Sequence, residues 1–220
     1  MIVPAWVAAV CCACQLLVLY STFFFDSDPN VEEPILCKHF GRLTFLTVQS
    51  NSLLSIFFGA SLLSAMVDTP ALDAVLLRLF PLAFALGVFL TLAYYALDHF
   101  NPESVRRRQR ALRKHPYIEY GANIEHGLAL PAIALFCTSL SHSAPAASAT
   151  DVGVFVGGYI SFYLGFLHFN KYLTGLWVYP VVDDITSQYG AAGRNVFFAA
   201  LLSVFLALAC LGRTCPCTLS

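Results

Sequence analysis

The chain has 220 residues, of which 58% are hydrophobic and only 11% are charged, and its formal net charge is −1. A soluble globular domain carries about 25% charged residues. The composition therefore excludes a soluble enzyme, and it indicates a single integral membrane domain over residues 1–220.

Six apolar runs follow one another along the chain, each of a length that suits a bilayer-crossing helix of about 20 residues. The sequence predicts an all-α fold, a polytopic membrane bundle of six transmembrane helices. The predicted spans are residues 2–25, 43–67, 74–97, 118–141, 152–179 and 195–211.

The basic residues are distributed unevenly about these spans. The loops and span ends on one side of the predicted bundle hold ten lysines and arginines, against two on the other side. Cytoplasmic loops of membrane proteins carry an excess of such residues, so we expect this side to be cytosolic and both termini to face outward. The most basic stretch, 106–114, is interpreted as a solvated loop in preference to a nucleic-acid or specific lipid site, and we expect no nucleic-acid partner. The sequence does not distinguish an endomembrane from the plasma membrane.

The eight cysteines lie mostly in or beside apolar runs, which does not favour a disulfide framework. The pair Cys215 and Cys217 follows the last span, but a lone C-x-C lacks the further ligands that a metal site needs. We expect no disulfide there, no bound metal and no cofactor.

A polar face distinguishes the second span from the others. Thr44, Thr47, Asn51 and Ser55 are three or four residues apart and therefore share one side of a helix. Polar groups in lipid are unfavourable unless they turn toward partners or a wet cavity. We therefore expect the other helices to gather around this face.

Several reactive side chains should meet near the cytosolic side of the bundle. Thr47 begins the second span there, and His126 lies in the first half of the fourth. A threonine hydroxyl becomes a nucleophile only when a base takes its proton, and histidine suits that task. Asp98 is the candidate for orienting the histidine. The candidates for binding substrate are Asn51, Asn123, Trp177 and Tyr179.

The residues alone also allow other roles. A threonine in a spanning helix commonly hydrogen-bonds the carbonyl four residues earlier, and tryptophan and tyrosine form belts at the membrane interface. A channel or transporter with a polar path lined by His126, His168 and Asn51 is one alternative function. A non-catalytic membrane regulator, in which the polar face serves helix packing, is the other.

Three blocks of the sequence resemble one family, the androgen-induced-protein-like integral membrane hydrolases, and they follow one another along the chain as in that family. Residues 157–160 and 174–180, GGYI and TGLWVYP, are similar to the family's VGYI and TGxWVYP. Residues 41–47 with 57–59 resemble its GRWKYLT and FFG block, and 123–131 resembles NHxxHxxxLP, with Asn123 in place of the first histidine.

The resemblance implies a threonine hydrolase that acts without a metal. It aligns Thr47 with the family's nucleophile and His126 with its catalytic histidine. The implied reaction splits fatty acid esters of hydroxy fatty acids, so the expected partners are a lipid ester and the bilayer. The departures from the family pattern, Leu43, Thr44 and Asn123, leave the preferred ester open. The sequence does not reveal the oligomeric state.

Overall fold

The computed structural model describes residues 2–25, 38–112, 116–140 and 147–218. Every regular element in these ranges is helical. Five helices are long and apolar enough to cross a membrane by length and composition, and they are Ala5–Phe23, Leu46–Val67, Pro70–Leu97, Ala149–Thr174 and Pro180–Cys215. The predicted all-α polytopic bundle and the multi-pass membrane location are therefore confirmed.

Nine α-helices make up the described part of the chain, and short π-helical turns extend some of them. The helices are α1 (Ala5–Tyr20), α2 (Leu46–Val67), α3 (Pro70–Ala93), α4 (Pro102–Leu112), α5 (Ile118–Gly127), α6 (Ala129–Thr138), α7 (Ala149–Asp151), α8 (Gly157–Thr174) and α9 (Pro180–Thr218). The π-helical turns are Ser21–Phe25, Tyr94–Asp98 and Val152–Val156.

The fourth predicted span differs from the others because two short helices, α5 and α6, occupy it. The helical hydrogen bonds are interrupted around Leu128, three residues before Pro131. Proline has no N–H to donate to the carbonyl four residues earlier, here that of Gly127, and its ring crowds that carbonyl. A bend results, and it leaves the carbonyls at the end of α5 without their usual helical donors.

A second interruption lies inside α9. Gly190 has φ 67° and ψ −165°, so α9 consists of two helical segments joined at this residue. A positive φ is accessible to glycine at little cost because it lacks a Cβ atom. The predicted sixth span, 195–211, falls within the second segment.

The core is a set of interleaved aromatic and aliphatic side chains between α1, α2, α3 and α6. Phe136 of α6 packs against Phe57 of α2 and Phe80 of α3, with ring centroids 5.3 and 5.7 Å apart. Edge-to-face and offset aromatic pairs contribute about 0.5–1.5 kcal/mol beyond the area that they bury. This cluster packs α2, the helix that carries the polar face, against α3 and α6.

One disulfide corrects the expectation for the cysteines. Cys137 at the end of α6 is bonded to Cys215 near the end of α9. Chain order puts both at the end of the bundle opposite the basic segment. Disulfides persist in oxidising compartments, so this bond agrees with the outward orientation expected for that end. The two cysteines are 78 residues apart and belong to no recognisable motif, which is why the sequence did not predict the bond.

Candidate functional site

Thr47 and His126 meet in the structure. Gly41, with φ 54°, opens a 3-10 turn over Gly41–Thr44, and extended Phe45 then starts α2 at Leu46. Thr47 is consequently the second residue of the helix. Its Oγ1 lies 3.0 Å from Nε2 of His126 on α5, which is a hydrogen-bonding distance.

The second ring nitrogen of His126 fixes the direction of that hydrogen bond. Nδ1 lies 2.7 Å from the carbonyl oxygen of Ala122, one turn earlier on α5. A carbonyl oxygen only accepts, so we assign the ring proton to Nδ1. Nε2 then has a lone pair and accepts the hydrogen of the Thr47 hydroxyl. This is the arrangement that a general base requires.

Helix α3 holds the histidine from the other side. The ring of Tyr94 stacks on the His126 imidazole, with centroids 3.9 Å apart and planes 12° apart. The hydroxyl of Thr91 donates to the His126 carbonyl at 2.5 Å. These contacts restrict both the ring and the backbone of the histidine.

The bend at Leu128 has a direct effect on the pair. Because α5 ends there, the carbonyls of its last turn need donors from outside the helix. Asn51 of α2 supplies one donor, since its Nδ2 donates to the Glu125 carbonyl at 3.1 Å. The hydroxyl of Thr91 on α3 donates to the next carbonyl, that of His126. The helix that carries His126 is therefore hydrogen-bonded to the helix that carries Thr47.

A cavity of about 440 Å³ adjoins the pair and is lined by residues of α2, α3, α4, α5, α8 and α9. Its size falls within the range of small-molecule sites. Most of the lining is aliphatic or aromatic. The polar and tyrosine side chains in the lining are Arg42, Thr47, Tyr94, Asn101, Arg108, Glu125, His126, Tyr159, Tyr163 and Tyr179.

An ion pair lies beside the histidine in this lining. Nη2 of Arg42 is 3.5 Å from Oε1 of Glu125, and the Glu125 side chain is only 4% exposed. Arg42 also donates to the carbonyl of Thr22. The guanidinium thus ties the segment before α2 to both α5 and the end of α1.

Tyr179 connects the TGLWVYP segment to the start of α2. Its hydroxyl oxygen accepts from the backbone N–H of Leu46 at 3.0 Å and lies 2.8 Å from the hydroxyl of Tyr163. Leu46 directly precedes Thr47, so the Tyr179 hydroxyl is hydrogen-bonded to the backbone next to the candidate nucleophile. Tyr179 was predicted to bind substrate, and it does line the cavity.

The other predicted binding residues lie outside the cavity lining. Asn51 is fully buried and braces α5 as described. The Oδ1 of Asn123 accepts from the Tyr95 hydroxyl at 3.2 Å, and its Nδ2 donates to the Glu119 carbonyl. Trp177 is buried with its ring edge-on to that of His168, at a centroid distance of 5.1 Å.

The two remaining candidates are Asp98 and His168. The prediction that Asp98 orients the histidine concerns a side chain that lies outside the described residues, and it stays a prediction. His168 is exposed on α8 and, like Asn51, does not line the cavity with His126. The polar path proposed in the channel alternative therefore does not form around this cavity.

Sequence reasoning missed several supports of the pair. Three of these supports, Tyr94, Thr91 and Tyr163, are residue types that are common in membrane helices. Their roles become visible only through contacts with residues that are distant in the chain. Ala122 acts through its backbone, which no residue type reveals. The one available signal was the four-residue spacing from Ala122 to His126, which is general to helices.

Fold and site together define a multi-pass helical membrane protein with a threonine–histidine pair beside an apolar cavity. The chain belongs to the FAR-17a/AIG1-like protein family, whose model matches residues 7–215. This match confirms the family resemblance in the sequence. No curated protein and no solved structure matches the chain.

Proposed function

We propose that this protein is a membrane-embedded lipid ester hydrolase in which Thr47 is the nucleophile and His126 the general base. The family is linked to hydrolase activity. The observation that supports the proposal most is the 3.0 Å contact from Thr47 Oγ1 to His126 Nε2, with Nδ1 held by the Ala122 carbonyl. Hydroxyl, base and orienting acceptor then stand in the order that nucleophilic catalysis needs.

In the first half of the reaction, His126 Nε2 takes the Thr47 proton as Oγ1 forms a bond to the ester carbonyl carbon. The carbonyl π electrons move to oxygen and give a tetrahedral oxyanion. When this intermediate collapses, the bond from carbon to the alcohol oxygen breaks. The imidazolium proton goes to the departing alkoxide, which leaves as a hydroxy fatty acid, and Thr47 retains the acyl group.

In the second half, water replaces the alcohol. His126 takes a proton from the water as its oxygen attacks the acyl-threonine carbonyl. Collapse of the second tetrahedral intermediate breaks the bond to Oγ1, and the histidine proton returns to Thr47. A fatty acid leaves, and the enzyme regains its starting protonation.

The substrate we propose is a fatty acid ester of a hydroxy fatty acid, the class that the family resemblance implies. The aliphatic and aromatic lining of the cavity suits acyl chains, whose transfer from water to an apolar site contributes about 0.8 kcal/mol per methylene. Thr47 and His126 share the cavity lining with Arg42 and Arg108, which belong to the basic side of the bundle. A lipid in the bilayer can present its ester at that depth.

Hydrolysis by the purified protein tests this function. In detergent or lipid nanodiscs, the wild-type protein should release both acids from such an ester, as followed by mass spectrometry. Thr47→Ala and His126→Ala should each lower kcat by at least about 10³-fold, because each removes part of one unit. The double variant should be no slower than the slower single variant.

The exposed Thr138, on α6, provides a matched control. Thr138→Ala should retain wild-type kcat, which separates loss of the nucleophile from a general effect of the substitution. Hydrolysis that persists in a folded Thr47→Ala protein would contradict the proposed nucleophile. Absence of hydrolysis by the wild-type protein across lipid esters would contradict the proposed class of activity.

A further inference from the structure

The proposed substrate, a fatty acid ester of a hydroxy fatty acid, has one free carboxylate, at the end of the hydroxy acid chain. Burying a carboxylate among apolar side chains without a partner is strongly unfavourable. Most of the cavity lining is aliphatic or aromatic. The carboxylate therefore needs a cation at a place where the apolar lining ends.

Two helices extend the apolar lining toward the basic side of the bundle. The lining residues of α8 and of the second segment of α9 recur every three or four positions, so they form one stripe on each helix. On the basic side, the stripe of α8 ends at Leu167 and that of α9 begins at Phe197 and Phe198. The next position on each stripe, one helical turn of about 5.4 Å away, is a cation, Lys171 on α8 and Arg194 on α9.

The indole ring of Trp177 holds both cations at this end of the cavity. The guanidinium carbon of Arg194 lies 5.2 Å from the ring centroid, and Nζ of Lys171 lies 5.7 Å from it. Cations within about 6 Å of a tryptophan ring are attracted to its face. Trp177 is itself buried and packs against Phe198 of the α9 stripe, with ring centroids 5.7 Å apart. The ring thus fixes the two cations relative to the apolar stripes.

The two cations differ in what already compensates their charge. Nζ of Lys171 donates to the Gly175 carbonyl at 2.5 Å and lies 3.6 Å from a carboxylate oxygen of Asp183. Within the described residues, Arg194 has no carboxylate at ion-pair distance, and its one hydrogen bond is a 3.4 Å contact with the neutral amide of Asn195. A guanidinium stays charged and has five N–H donors. Arg194 is therefore the better placed of the two to bind an anion.

We propose that Arg194 binds the free carboxylate of the substrate and that Trp177 positions it. This inference rests on the proposed hydrolase function and deepens it, because it assigns the recognition of the hydroxy acid end. The fork of an arginine matches both oxygens of a carboxylate. The hydroxy acid chain then runs along the stripes of α8 and α9, from the ester at Thr47 to the anion at Arg194. The protein should consequently prefer esters that carry a free acid over neutral lipid esters.

The phosphate of a bilayer lipid is a second anion that suits an arginine at the membrane interface. The position of Arg194 on the α9 stripe favours the carboxylate. A fatty chain that lies along the cavity ends in such a group, whereas a lipid of the surrounding bilayer makes no use of the stripe.

A pair of substrates that differ only in this group tests the proposal. One is the ester with its free carboxylate, and the other is the matched primary amide, whose CONH₂ group is neutral and of similar size. Steady-state kinetics in nanodiscs at pH 8 give the selectivity, defined as kcat/KM for the acid divided by kcat/KM for the amide. Each substrate partitions into the nanodiscs in the same way for every variant, so a comparison of variants isolates the contribution of the protein.

Arg194→Met should lower this selectivity about tenfold, because a hydrogen-bonded ionic contact is lost. The loss should appear in KM for the acid, with kcat changed less than about threefold, since the contact is equal in the ground and transition states. Arg194→Lys keeps the charge without the fork and should lower the selectivity about threefold. Arg213→Met is the matched control, near the opposite end of α9, where Nε of Arg213 donates to the Ala147 carbonyl, and it should leave the selectivity unchanged.

The positioning role of Trp177 has its own test. Trp177→Leu removes the ring on which Arg194 lies and should lower the selectivity about threefold, again through KM for the acid. A merely structural role of the ring would instead slow the acid and the amide equally, and that result would contradict positioning.

Unchanged selectivity in Arg194→Met, or equal losses for the acid and the amide, would overturn the role of Arg194 while the hydrolase proposal stands. An equal loss that varies with the phosphatidylserine content of the nanodiscs would assign Arg194 to lipid phosphate instead. If Arg194→Met does not fold, Arg194→Lys decides by the same measure. Failure of the proposed function would appear as no turnover of either substrate by the wild-type protein.

Discussion

The hydrogen bond from Asn51 to the Glu125 carbonyl offers a quantitative test of how the Thr47–His126 pair is held. The amide Nδ2 donates at 3.1 Å, and Asn51 is fully buried. In Asn51→Leu the carbonyl loses its donor without gaining access to water. Leaving such an acceptor unpaired costs about 1–3 kcal/mol in the free energy of unfolding.

The same change should reach the chemistry, because this bond joins α2 to α5. Displacement of a catalytic group by about 1 Å can cost about 100-fold in rate. We expect kcat of Asn51→Leu to fall about 10- to 100-fold with little change in KM, together with a lower thermal midpoint. Hydrolysis kinetics and thermal unfolding in the same detergent measure both effects.

Ser52 gives the neighbouring control, since its hydroxyl bonds only the Val48 carbonyl of its own helix at 2.8 Å within the described residues. Ser52→Ala should retain kcat and stability. A raised KM with unchanged kcat in Asn51→Leu would refute the bracing role and would instead support the substrate contact that the sequence predicted.

Two further predictions concern the surroundings of the pair, and a third concerns the disulfide. Arg42→Met removes the guanidinium that pairs with the Glu125 carboxylate, whose side chain is 4% exposed, and should lower the free energy of unfolding by about 3–5 kcal/mol. The double variant Arg42→Met with Glu125→Gln should recover most of the lost stability, as measured by denaturant titration. Tyr94→Leu removes the ring that stacks on His126 at a centroid distance of 3.9 Å, a contact that contributes about 0.5–1.5 kcal/mol. The variant should reduce kcat by no more than about tenfold. A loss of kcat as large as that of His126→Ala would assign Tyr94 a direct chemical role. Non-reducing peptide mapping should recover Cys137 and Cys215 in one linked peptide, and Cys137→Ser should lower the thermal midpoint; free thiols at both positions in protein from its native membrane would contradict the disulfide.

The sequence predicted the helical bundle and the two central residues for identifiable reasons. Apolar runs of bilayer length can hardly be anything but helices. Chain order alone puts the start of the second span and the first half of the fourth on one side of the membrane. The GRLTFLT and NIEH blocks then selected Thr47 over Thr44 and drew attention to His126.

The supports of the pair could not be predicted because each depends on where a distant helix ends. Asn51 lies on the polar face as expected, but whether that face meets a cavity or the end of α5 depends on the bend before Pro131. The bond from Leu46 to Tyr179 joins residues 133 positions apart, with nothing in either residue type to indicate it. Hydropathy also averages over the bend, so 118–141 appeared as one span.

Identifying the residue that carries a covalent adduct tests the central claim most directly. After reaction with a lipid-like fluorophosphonate, peptide mass spectrometry should locate the adduct on Thr47, and the adduct should vanish in a folded His126→Ala protein, because the base that activates the hydroxyl is gone. An adduct on Thr44, three residues away, or labelling of Thr47 that survives His126→Ala, would contradict the account.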